Sequence, residues 1–232
     1  MRRVVLAAAV IAAIGAPASQ APVVATSAGH DRDVTIPAAA PLAAPAASRA
    51  SSRPARATGR PGRLRVVPGT NGPVGDGPVS RYAVEVESTI RIDRGAFAAQ
   101  VHATLSDRRS WGGTGRVAFR RVSSGRIDFR VTLARPATVD RLCAPLITNG
   151  IYSCAMGGRA VLNLRRWRNG ADAYSKLARY RKYLVNHEVG HLLGHGHLSC
   201  PAPGARAPVM MQQTKGVGSC RPNPWPLGYE RG

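Results

Sequence analysis

The segment that begins at His187 carries three imidazoles and one carboxylate at spacings that suit a metal-dependent hydrolase. His187 and His191 are one helical turn apart, so they share a helix face, and Glu188 lies beside them. Gly194 lacks a Cβ and can take the left-handed conformation that ends a helix, which would return His197 as a third ligand. Three neutral imidazoles and an open fourth position are typical of a catalytic zinc site. We therefore predict one catalytic Zn²⁺ on the three histidines, with Glu188 as the general base.

The spacing His-Glu-x-x-His-x-x-Gly-x-x-His resembles the signature of the metzincin zinc metallopeptidases. In that family a downstream turn places a methionine beneath the three imidazoles, and the segment 207–213 is similar to it. Met210 and Met211 both qualify, and we favour Met211. The alternative is that the pair only fills the core. The resemblance implies an α+β fold with a twisted mixed β-sheet, two main helices, an active-site helix ending at Gly194 and a small C-terminal subdomain with the methionine turn.

A narrower resemblance is to exported actinobacterial metzincin-like proteins of uncharacterised function. It rests on the segment 186–197, on Cys200 and Pro201, and on the segments 211–216 and 221–226. The similarity covers the chain from about Arg81 onward. It implies a fold and a type of site, without a substrate.

Two departures from better-known metzincins limit what this resemblance implies. Some branches have a tyrosine two residues after the turn methionine, whereas this chain has Gln212 and Gln213. Several branches place an acidic residue after the third histidine, where this chain has Leu198. The group that stabilises an oxyanion and the groups that orient the imidazoles therefore stay open.

Hydrophobic periodicity predicts the elements that must position this segment. Alternation predicts a strand at 82–87, and Asp93 is a suitable cap for a helix that runs to Leu105 with Phe97 and Val101 on its buried face. Further predicted elements are strands at 117–119 and 127–133, a hairpin that turns at 156–159 into a strand at 160–164, and a long helix from Asp172 or Ser175 to Gly194. We expect the hairpin to contact the substrate backbone, because a peptide can add to a sheet edge as an extra strand.

The amino-terminal residues 1–28 read as a secretory signal peptide. Two arginines precede a thirteen-residue apolar run and small residues, with cleavage after Ala18, Ala21 or Ala28. An uncleaved anchor is the alternative, although the run is short for a membrane span. We expect a secreted or cell-envelope-associated protein.

Residues 29–80 are rich in Ala, Pro, Gly, Ser and Arg and show no sustained period, which predicts a disordered linker or a pro-segment. The segment has no cysteine, which excludes a thiol-on-zinc latency switch. Residues 81–232 are enough for one domain with a single core. We assign the zinc peptidase domain to them.

Four cysteines in an exported chain indicate two disulfides. Proximity in sequence favours Cys143 with Cys154 and Cys200 with Cys220. The second bond would close a loop that contains the methionine turn. A structural zinc on cysteines is the less favoured alternative, since no Cys-x-x-Cys pair is present.

The formal net charge is +21, of which the residues from 81 onward contribute +15. Such an excess attracts anionic cell-wall polymers or membrane surfaces. The basic residues are scattered in the sequence and no nucleic-acid-binding motif is present, which argues against specific nucleic-acid binding. The oligomeric state is left open.

These observations predict an exported zinc-dependent metalloendopeptidase that acts on a peptide or protein substrate. The alternatives are a secreted zinc-containing, non-proteolytic binding protein for cell-wall or anionic surface polymers, and a peptidoglycan amidase.

Overall fold

A computed structural model describes residues 62–231 of the chain. The predicted signal peptide and most of the predicted linker lie outside this range. The strands are β1 (Leu64–Val66), β2 (Val79–Glu87), β3 (Ala118–Arg121), β4 (Phe129–Ala134), β5 (Cys154–Met156) and β6 (Arg159–Asn163). The helices are α1 (Arg94–Leu105), α2 (Pro136–Cys143), α3 (Leu164–Asn169) and α4 (Leu177–Leu192), with short 3₁₀ turns at Trp111–Thr114 and Gly228–Glu230. Within 62–231, no helix has the length and apolar character that crossing a membrane requires.

The strands form one mixed sheet, and the fold is of the α+β class, as predicted. The strand order is β1-β2-β4-β6-β5, and β3 pairs with the beginning of β2. β2, β4 and β6 run parallel, whereas β1 and β5 are antiparallel to their neighbours. β5 therefore lies at an edge of the sheet.

The two faces of the sheet bury different sets of side chains, because successive residues of a strand point to opposite sides. Ala160 and Leu162 of β6 belong to the main core, where α1 and α4 pack. Val161, between them, belongs to a smaller cluster with Val139 of α2. β2 lies inside the sheet, and its residues 82–87 are buried, including the two glutamates. Glu85, for example, pairs there with Arg130 and Arg159.

The predicted first helix is confirmed. The Asp93 carboxylate accepts a hydrogen bond from the Ala96 backbone N–H at 2.9 Å, and Phe97, Val101 and Leu105 are buried. A side-chain oxygen at this position satisfies a backbone donor that the first turn leaves unpaired. His102 on this helix lies outside the candidate metal centre and contacts the Tyr82 hydroxyl.

The long helix is shorter than the prediction at both ends. It begins at Leu177 because residues 171–174 form a separate turn, in which the Tyr174 N–H donates to the Ala171 carbonyl. It ends at Leu192 with Leu193 as the C-cap, and Gly194 follows with φ +93°. The glycine thus turns the chain as expected, just beyond the helix rather than at its last residue.

The predicted domain boundary at residue 81 is wrong. The predicted linker includes residues 62–80, yet β1 pairs with β2, and the buried side chain of Val67 belongs to the main core. The Gly62 N–H also donates to the buried Glu87 carboxylate at 2.9 Å. Composition missed this strand because it is only three residues long and its partner lies in the next segment.

The predicted disulfide pairing is confirmed. Cys143 bonds to Cys154 with a Cα–Cα distance of 6.1 Å, and Cys200 bonds to Cys220 with a Cα–Cα distance of 5.8 Å. The first connects α2 to the edge strand β5. The second closes the loop that contains Met210 and Met211.

Candidate metal centre

The fold brings together the three histidines that the sequence singled out. His187 and His191 come from the last part of α4, and the chain reversal at Gly194 returns His197 to them. One ring nitrogen from each histidine lies within 4.8 Å of the other two. The Nε2 atoms of His191 and His197 are 3.1 Å apart. Two nitrogens of a tetrahedral zinc site, each at 2.0–2.1 Å from the metal, are separated by about 3.3 Å.

Backbone carbonyls orient two of the rings. His187 Nδ1 lies 2.8 Å from the Val209 carbonyl, and His191 Nδ1 lies 2.9 Å from the His195 carbonyl. A ring nitrogen beside a carbonyl must carry the proton, which leaves Nε2 with a free lone pair. These carbonyls therefore orient the rings, as carbonyls and acidic side chains do for the histidines of zinc sites.

Burial keeps these imidazoles neutral, which is the form that binds a metal. Burial lowers the pKa of His187 to about 3, and it also lowers the pKa of His191 and His197. The donor set therefore consists of three uncharged imidazoles, and in two of them the carbonyl at Nδ1 leaves the Nε2 lone pair free. This set fits Zn²⁺.

Glu188 is buried beside the histidines and lines the same cleft. Burial raises the pKa of its carboxyl group to about 8. A cation in the site would lower that pKa, because an opposite charge favours the ionised form. The side chain is therefore placed to accept a proton from a molecule in the cleft and to release it again.

Met210, rather than the favoured Met211, packs beneath the histidine helix. The Met210 side chain is fully buried, and its Sδ lies against Gly190, between the first two histidines in sequence. Met211 is half-buried and lines a surface depression beside His197. The preference for Met211 is corrected accordingly. The two neighbours could not be separated in sequence, because the turn at 208–211 decides which one faces inward.

A buried carboxylate near the carboxyl end holds this turn in place. Glu230 accepts hydrogen bonds from the backbone N–H groups of Val209 and Met210 at 3.0 and 2.8 Å, and it also bonds Leu227 N–H. The Val209 carbonyl that orients His187 is thereby fixed. Sequence reasoning missed Glu230, and no local pattern marks it.

Gln213 holds the other side of the turn. Its amide group donates to the carbonyls of Pro208 and Asn223, both at 2.8 Å, and its oxygen accepts from the Tyr174 hydroxyl. Gln213 is therefore a buried structural group.

The side chains of Asn186 and His195 make packing and hydrogen-bond contacts within the fold. Asn186 accepts from the Ser110 hydroxyl at 2.7 Å and donates to the Pro224 carbonyl at 2.9 Å. The His195 ring stacks on Trp111 with 4.4 Å between centroids. His195 is therefore not one of the three histidines whose ring nitrogens converge.

The cleft in front of the histidines has a volume of about 320 Å³. One side is formed by residues 152–155, which lead into the edge strand β5, and Gln212 and Lys215 also line it. The Lys215 ammonium lies 3.1 Å from the Gln212 side-chain oxygen and 5.2 Å from the centre of the Tyr152 ring. Sequence reasoning did not identify this cation, because the chain at Lys215 shows only a turn-like segment.

The chain belongs to the family described as "Protein of unknown function (DUF3152)", whose model matches residues 53–221. The matched range begins well before residue 81, in agreement with the place of β1 in the sheet. No curated protein matches the chain, and no solved structure matches it either.

Proposed function

We propose that this protein is an exported zinc-dependent endopeptidase of the metzincin type. The observation that carries the proposal is the convergence of His187, His191 and His197 beside a buried Glu188 at the base of an open cleft. Neutral imidazoles, carbonyl-oriented rings and a free fourth position are what a catalytic zinc needs, and a structural site would be closed by a fourth ligand.

A zinc ion held by these residues would polarise the scissile carbonyl and bring the pKa of a bound water to about 7. Glu188 takes a proton from the attacking water and later delivers it to the leaving amine. Its burial supports this role, because burial brings the pKa of the carboxyl group close to neutral pH. A group with such a pKa can both accept and release a proton.

The substrate is proposed to be an extended peptide. β5 is hydrogen-bonded to β6 on one side and lies at the edge of the sheet, next to the cleft. A peptide that adds to this edge would present its backbone to the histidines. The predicted role of the hairpin at residues 154–163 is consistent with this geometry.

Lys215 is the candidate for stabilising negative charge on the substrate. It is a cation in the wall of the same cleft as Glu188, and its contact with Gln212 is to a neutral oxygen. Its charge therefore stays available for an oxyanion or a substrate carboxylate.

A second candidate function is binding of anionic surface polymers without cleavage. The excess of basic residues supports it. A peptidoglycan amidase would use the same cleft and the same catalytic groups, with an amide bond of peptidoglycan as the substrate.

The test is cleavage of casein, a peptide library and purified cell wall by the full chain, with and without a chelator. We expect chelator-sensitive cleavage of peptides, and loss of at least about 100-fold in turnover for Glu188→Gln with zinc still bound. Glu230→Gln is not a suitable control because it disturbs the turn, so Asp172→Asn, which removes an exposed carboxylate outside the cleft, serves instead.

Peptidase activity that survives in Glu188→Gln would contradict the role of that residue. Cleavage of cell wall alone would support the amidase. Binding to wall polymers with no cleavage of any substrate would support the second candidate.

A further inference from the structure

A second cleft lies on the molecule, and its lining is dominated by cations. It has a volume of about 400 Å³ and shares no lining residue with the histidine cleft. Five basic side chains line it, together with Trp225: Arg109, Arg179, Lys182, Arg206 and Arg221. No acidic residue lines it.

Most of these cations are not neutralised by the protein. Arg109 pairs with Asp107 at 2.7 Å. In the part of the chain that the structure describes, no carboxylate lies within salt-bridge distance of the other four. Arg221 instead donates to the Gly204 carbonyl at 2.8 Å, which positions the guanidinium and leaves its charge uncompensated.

The Trp225 ring contacts two of the cations in the cleft. The guanidinium carbon of Arg109 lies 4.4 Å from the centre of this ring, and the Lys182 ammonium lies 5.5 Å from it. Cation–π contacts hold these side chains without removing their charge. Prolines 224 and 226 flank the tryptophan and restrict the backbone at this point.

The two clefts use different faces of the same helix. Lys182 and His191 are nine residues apart in α4, which places them about 180° apart around the helix axis. The segment 221–225 covers the Lys182 side, while the edge strand and the methionine turn lie on the side of the histidines. A ligand in the cationic cleft would thus leave the histidine cleft free.

We propose that this cleft binds an anion that carries two or more linked phosphate groups. Guanidinium groups match phosphate oxygens in a bidentate manner, and four of the five cations are arginines. The four positive charges without a carboxylate partner exceed what a single phosphate can neutralise. The volume corresponds to a small ligand or to a short segment of a phosphate polymer. This inference does not depend on the peptidase proposal.

The test is calorimetric titration of the full chain with inorganic tripolyphosphate. We expect saturable one-to-one binding that is weakened about tenfold or more in Lys182→Gln/Arg206→Gln, because each lost cation removes a charge-assisted contact. The matched control is Arg65→Gln/Arg120→Gln, which loses the same charge from exposed positions on β1 and β3. We expect less than a threefold effect there.

The titrations are run on the chain as purified and after metal removal, because polyphosphate also chelates divalent ions. If binding is weakened equally in the two double variants, the effect depends only on the net charge of the protein, and the proposal is overturned. Absence of saturable tripolyphosphate binding would overturn it too. If an octathymidylate binds more tightly than tripolyphosphate, and the cleft variant loses this binding, the cleft is a nucleic-acid-binding surface and the proposal is overturned. The Glu188→Gln variant, which tests the peptidase proposal, should bind tripolyphosphate normally.

Discussion

A histidine can present either ring nitrogen to a metal, and the group bonded to the other nitrogen decides which one is free. In this protein the carbonyls of Val209 and His195 hold Nδ1 of His187 and His191. Carbonyls can only accept, so these rings have a fixed tautomer with Nε2 directed into the site. The orientation of these two rings therefore needs no acidic side chain.

Removal of one ligand should abolish metal binding. We expect His191→Ala to lose stoichiometric zinc, measured by elemental analysis of the purified protein, because two imidazoles do not make a tight site. His195→Ala is the matched control, since its ring stacks on Trp111 instead of facing the site. Full zinc content in His191→Ala would contradict the proposed ligand set.

His102 should contribute a pH dependence to stability that is independent of the metal centre. Its Nδ1 lies 3.0 Å from the Tyr82 hydroxyl, and the Ser106 hydroxyl is also within hydrogen-bond distance. Burial, with a smaller effect of the Arg121 charge, lowers the pKa of His102. Protonation would remove the acceptor that the tyrosine hydroxyl uses.

Because the folded pKa is below the unfolded value of about 6.5, the unfolded chain takes up the proton more readily. The stabilisation is complete above pH 6.5 and is lost as the pH falls from that value through the lower pKa of the folded state. Denaturant unfolding should therefore show that the free energy of unfolding falls more between pH 7.5 and pH 5 in the wild type than in His102→Gln. Equal losses in the two proteins would disprove the role of this ring.

At the scale of elements, the site depends on close packing between α4 and the methionine turn. Gly190 lies where the helix meets Met210 and Trp111, and the Trp111 ring nitrogen donates to the Asn186 carbonyl at 2.8 Å. The helix carrying two histidines is thus fixed against the turn that orients one of them. The second disulfide closes the loop around the same turn.

Gly190→Ala should destabilise the fold. A Cβ at this position would overlap Met210 Sδ and lie 2.7 Å from Trp111 Cζ2, so both neighbours must move. Overpacking of this kind costs about 1–3 kcal/mol, which urea unfolding can measure. Gly72→Ala is the control, because the structure has open space there. A Gly190→Ala protein as stable as the wild type would show that the turn is looser than described.

At the scale of the whole molecule, the folded unit begins before the segment that looks folded in sequence. Val67 fills part of the main core, and β1 covers the end of β2. A β-strand without its neighbour exposes unpaired backbone groups and buried side chains to water. The linker prediction failed here because a three-residue strand leaves no periodic signal.

A chain that starts at residue 62 should therefore keep the stability of the described domain. A chain that starts at residue 81 should be less stable. We expect the shorter chain to be less stable by about 2–5 kcal/mol, from the loss of Val67 and of the Gly62 bond to Glu87. Denaturant unfolding of the two proteins checks this. Equal midpoints would show that β1 is dispensable.

The sequence by itself determined everything that depends on neighbours along one helix or one turn. The spacing of His187 and His191, the reversal at Gly194 and the capping of α1 by Asp93 follow from local geometry, and short separations favoured the observed disulfide pairs. The choice of Met210 over Met211, the carbonyls that orient the rings and the role of Glu230 came only from the tertiary structure. So did the clustering of basic residues between 109 and 221 into one cleft. Their partners are distant in the chain, and only the packing of the sheet, α4 and the carboxyl-terminal segment brings them within contact distance.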